Sequence, residues 1–131
     1  MKLEYFDTPI PKYKNKNISE LISLLKRTEK PREKAPILIS MSLINQDNFQ
    51  NELSNCLLSE VADNLNIQRI GFGTLTVSMV AAIVIIQLNI NIAADLKNVV
   101  YQNWSEHQIS DFKYILKSEG FDIECWFDNL P

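Results

Sequence analysis

Apolar residues recur at helical spacing along most of this chain, and several of the repeats open on a residue suited to cap a helix. Ile18, Leu21, Ile22 and Leu25 share one face behind Asn17, with Glu20 placed three residues after the cap as its capping-box partner. Asp47 and Gln50 repeat that signature ahead of Phe49, Leu53, Cys56, Leu57, Val61 and Leu65, one apolar stripe. Ser105 and Gln108 repeat it again ahead of Ile109, Phe112, Ile115 and Leu116. Between them, Ile92, Leu96, Val99, Val100 and Asn103 keep the same period. Pro31 reads as the stop of the first helix and RTEKPREK as a charged loop, after which Pro36 opens PILISMSLI as a short buried helix or a strand.

The centre of the chain carries no such alternation. Ile70 to Ala94, IGFGTLTVSMVAAIVIIQLNINIAA, holds no charged residue, and its densest part, Val77 to Leu88, is apolar all round. As one helix of about 25 residues rising about 1.5 Å each, the whole stretch would reach roughly 37 Å, enough to cross a bilayer. Ser78 and Gln87 within the dense part, with Thr74, Thr76, Asn89 and Asn91 beside it, shorten it to the class of a buried core helix instead. Arg69 and Lys97 balance across it and give no orientation. Gly71 and Gly73 separate it from the preceding helix. The β-branched Val77, Val80, Ile83, Val84, Ile85 and Ile86 support a competing reading, an α/β fold with central strands formed by residues 74 to 92.

The ends read differently. KLEYFD, residues 2 to 7, and FDIECWFD, residues 121 to 128, alternate as short strands, the second following Gly120 as a helix stop. The pattern therefore predicts an α+β, mainly helical fold. It is a single globular domain over residues 1–131, with helices near 18–30, 48–65, 74–88, 92–103 and 106–118, residues 74–88 buried at the centre, and strands at the termini.

Charge changes that picture. The net charge is −3, with nine Lys or Arg against five Asp or Glu in residues 1–34, one against four in 35–94, and three against seven in 95–131. A chain basic at its start and acidic at its end suits an acidic surface that meets a basic partner. The opening MKLEYFDTPIPKYK lacks the apolar core of a secretory signal, and Cys56 and Cys125 sit in apolar contexts, so a cytoplasmic protein with reduced thiols is expected.

Candidate chemistry is sparse. His107 is the single histidine and falls in the first turn of a helix, where a protonated imidazole is disfavoured. No pair of His or Cys has metal-ligand spacing, no GxSxG or GK[ST] occurs, and the third glycine of a phosphate loop begun at Gly71 and Gly73 would fall on Thr76. No cofactor, metal or catalytic residue is expected, although a small enzyme built on carboxylates and lysines would leave no signature. Lys2, Lys12, Lys14, Lys16, Lys26, Arg27, Lys30, Arg32 and Lys34 are dense enough to suggest nucleic acid, but interleaved acids and the overall charge favour a solvated face.

One surface stands out. If Phe121, Ile123, Cys125 and Phe127 point inward, Asp122, Glu124, Trp126 and Asp128 share the opposite face, an aromatic hot-spot residue among carboxylates that steer a basic partner. Trp104, beside the cap Ser105, fits a helix corner instead. The expected function is a small acidic cytoplasmic inhibitor of the immunity or antitoxin type, neutralising a basic toxin or nuclease by direct binding. Membrane association through residues 70–94 and an unrecognised enzymatic site are the alternatives.

Overall fold

Asn17 starts the first helix, α1 (Ile18–Arg27), as its side chain predicts. The Asn17 Oδ1 accepts from the Glu20 amide at 2.9 Å, and the Asn17 amide donates to Glu20 Oε1 at 3.3 Å, so two otherwise orphaned N–H groups are satisfied reciprocally. Ile18, Leu21, Ile22 and Leu25 are all buried along the inner face. Thr28 ends the helix in an extended conformation, its hydroxyl donating to Leu24 O at 2.7 Å. The computed structural model describes residues 11–13, 15–42, 50–63, 66, 76–88 and 92–118.

Of the segment expected to be a charged loop, residues 27–34, only 28–30 lie outside a helix, and its second half begins α2 (Pro31–Met41). Pro31, expected to stop the first helix, lies beyond the end of α1 at Arg27 and occupies the first position of α2, where its missing N–H costs nothing. Glu33 then sits in the first turn beside the positive helix pole. Pro36 is therefore not the first helical residue but an interior one, which forfeits the amide bond to the Arg32 carbonyl. PILISMSLI is helical through Met41, with Ala35, Ile37, Leu38, Ile39 and Met41 buried. In α3 (Gln50–Ala62), Leu53, Cys56, Leu57 and Val61 form the expected buried stripe. Its proposed cap Asp47, and Phe49 and Leu65, lie outside the described residues.

The apolar centre forms α4 (Val77–Gln87), and every residue from Val77 to Ile85 is buried. Thr76 caps it, its hydroxyl accepting from the Met79 amide at 3.2 Å. This overturns the α/β alternative: residues 77–87 are helix, so no pair of central strands spans 74 to 92. The β-branched side chains tolerate the helix because α4 lies between α2 and α3 and is covered on every side, where tertiary burial outweighs their strand preference. Eleven residues at about 1.5 Å each give about 16 Å, roughly half a hydrocarbon core. Among the described residues, no helix is long and apolar enough to cross a membrane.

Two further helices, α5 (Ala93–Asn103) and α6 (Glu106–Ser118), match their expected ranges closely. Trp104 turns the corner between them, buried against the Phe112 ring at 5.2 Å in a T-shaped pair, its indole N–H donating to Val61 O at 3.0 Å. Ser105 and Gln108 make the second reciprocal box, at 2.9 and 3.2 Å. The described residues are mainly helical, with six α-helices, a short 3-10 turn at Pro11–Tyr13 and no strand. The strands expected at 2–7 and 121–128, and the glycines 71, 73 and 120, lie outside them.

Candidate functional site

Helix α6 sets the geometry of the surface nearest the acidic end of the chain. Ile109, Phe112 and Leu116 bury its inner face in the common core, which leaves Ser110, Tyr114 and Lys117 exposed on the other. Tyr114 is 74% exposed. Tyr101, on α5, is 46% exposed, with the Lys97 ammonium 6.0 Å from its ring centroid. These are the two exposed large hydrophobic side chains among the described residues. His107 lies on the same helix, its Nε2 3.4 Å from Asp111 Oδ2 one turn on, and its side chain faces solvent. An exposed pair of this kind contributes little to stability.

The sequence-predicted patch, Asp122, Glu124, Trp126 and Asp128, lies outside the described residues. The last described element before it in sequence, α6, ends at Ser118 and packs on the core through Phe112 against Trp104.

A second constellation was not anticipated. Lys34, read from sequence as one of a solvated run of lysines, turns inward from α2 and is only 6% exposed. Its ammonium lies 2.9 Å from Glu60 Oε2 on α3 and 3.7 Å from Asp63 Oδ2. Glu60 is 9% exposed, and Asn66, fully buried, donates from Nδ2 to Glu60 Oε2 at 2.7 Å and to Glu60 O at 2.8 Å. Asn66 Oδ1 is buried without a hydrogen-bond partner. The cluster ties α2 to the end of α3, with Lys34 shared between two carboxylates and Glu60 already bonded. One signal could have exposed it: Glu60 sits beside Val61, three residues after Leu57, at the edge of the apolar stripe where a carboxylate needs a partner.

Cys56 borders a cleft of about 300 Å³ also lined by Lys26, Glu52, Asn55, Ser59 and Glu60. Burial first, and then the carboxylates of Glu60 and Glu52 against the opposing pull of Lys26 and Lys34, push its thiol from 9.0 up to about 11. The sulfur stays protonated at neutral pH, the opposite of an activated nucleophile.

Comparison with protein-family models, with curated proteins and with solved structures finds no match for this chain.

Proposed function

We propose that this protein acts by binding another protein: a small acidic cytoplasmic inhibitor of the immunity or antitoxin type, directed against a basic toxin or nuclease. The observation that carries the reading is Tyr114, an aromatic ring held 74% exposed on a helix otherwise anchored in the core. Tyrosine and tryptophan are favoured anchors of protein interfaces because a large rigid ring is immobilised at low entropic cost. Helix α6 leads directly into residues 119–131, which hold Glu119, Asp122, Glu124 and Asp128 around Trp126 and no Lys or Arg. Aromatic anchors with a ring of carboxylates suit the phosphate-binding surface of a cationic nuclease, since such a surface is already built to receive negative charge.

Association kinetics test this. A co-purifying basic protein should bind with a rate that falls steeply as ionic strength rises, and Asp122→Lys or Glu124→Lys should slow association and flatten that dependence. An association rate that ignores both salt and these two substitutions would mean that the acidic segment plays no part in recognition.

A further inference from the structure

At the basic end of the chain, the 3-10 turn at Pro11–Tyr13, α1 and α2 border a half-open cleft of about 640 Å³. That volume lies within the range of about 300 to 1,000 Å³ typical of small-molecule sites. Leu24 on α1 and Pro36 and Ile37 on α2 line it with apolar surface. Lys12 and Lys16 line it with ammonium groups, and the Lys12 Nζ sits 5.6 Å from the centroid of the buried Tyr13 ring. Lys16 makes a long, solvent-facing contact to Glu20, at 3.9 Å. Among the described residues Glu33 is the one carboxylate lining the cleft, and Glu20 stands beside Lys16.

We infer that this cleft binds a small organic anion with an apolar body, its charged head on Lys12 and Lys16 and its hydrocarbon on Leu24, Pro36 and Ile37. The argument is charge complementarity over an apolar lining. Among the described lining residues two lysines face one carboxylate, in the part of the chain where Lys and Arg outnumber Asp and Glu by nine to five. Next to apolar walls the dielectric screening is weaker than in open water, so each ammonium attracts an anion more strongly there than on a flat surface. The aliphatic stems of both lysines extend the apolar lining while their heads stay in water. No described residue of α5 or α6 lines the cleft.

Calorimetric titration of the full chain with octanoate is the test. One-site saturable binding is expected, weakening as sodium chloride is added, with octanol, which lacks the charge, binding at least several-fold more weakly. Replacing both cations, Lys12→Gln with Lys16→Gln, should lower octanoate affinity about tenfold or more, because two charge-assisted contacts are lost. Glu33→Gln should do the reverse and tighten binding about threefold, a change that a merely structural role would not produce. Circular dichroism melts of both variants serve as the folding control, and these lysines, facing solvent, should leave the melting temperature nearly unchanged. Absence of saturable octanoate binding, or equal affinity in the double variant, overturns the assignment. So does capture by vesicles of phosphatidylcholine and phosphatidylglycerol without binding of free octanoate, which would give the two lysines to a lipid surface instead.

Discussion

Lys34 shows how much a single residue can owe to a partner far away in sequence. Its ammonium bonds Glu60 across 26 positions, and the pair is buried with Asn66 closing it. Taking two charges out of water is costly, so the pair need not stabilise the fold relative to an apolar pair, yet removing one member leaves the other stranded. Lys34→Ala should therefore cost about 3 to 5 kcal/mol in urea unfolding. Lys34→Met combined with Glu60→Leu should recover much of that loss, since the paired apolar replacement strands no buried charge and the remaining Asp63 is partly exposed. Equal destabilisation by the single and double variants would contradict this. Cys56 permits a second prediction at the same scale. Its folded thiol titrates near 11 and the unfolded one near 9.0. Between those values the unfolded chain has released a proton that the folded chain keeps, so stability falls as pH rises from about 9 to about 11. Comparing urea midpoints of the protein with those of Cys56→Ala over that window isolates the effect, and the variant should lose stability less steeply. Parallel curves would show that the thiol is not held in its protonated form by the fold.

At the scale of the element, the helices that were legible are those whose ends carry a local chemical signal. Asn17 with Glu20 and Ser105 with Gln108 make reciprocal bonds within four residues, so the pattern alone locates both helix starts. Each cap changed to alanine should lose about 0.5 to 2 kcal/mol, as should Thr76→Ala at the start of α4, read from thermal melts. The start of α2 was misread because Pro31 carries two opposite signals, a stop for α1 and a first residue for α2, and a local pattern cannot hold both. The burial of Lys34 was illegible for a different reason: the carboxylate that compensates it belongs to another helix. The centre was ambiguous between helix and strand because its residues are apolar on all sides and most are β-branched, so neither period appears. Packing decided it. Ile83→Asp or Val84→Asp should destabilise the protein by several kcal/mol, since both side chains are fully buried in α4 and an unpaired carboxylate there would be desolvated. A melting temperature within a few degrees of the parent would mean that α4 is not the core.

Across the whole molecule, α4 is buried among its neighbours, and the cations of the opening segment fall in different settings. Of the nine cations in residues 1–34, Lys34 is spent inside the fold, while Lys12 and Lys16 face a cleft. The candidate recognition residues were legible only as a pattern, since alternation groups Asp122, Glu124, Trp126 and Asp128 but does not say what covers them. Tyr114 escaped sequence reading because its exposure follows from Ile109, Phe112 and Leu116 all turning to the core, and an aromatic ring by itself reads as core. The proposed binding role is tested most directly by the affinity of Trp126→Ala for a co-purified basic partner, measured by calorimetry alongside a melting curve. A hot-spot anchor should weaken binding by about 2 kcal/mol or more, roughly thirtyfold, with the fold intact. Unchanged affinity in the folded variant, or loss of the fold without loss of affinity in the fraction that remains folded, would place the recognition surface elsewhere.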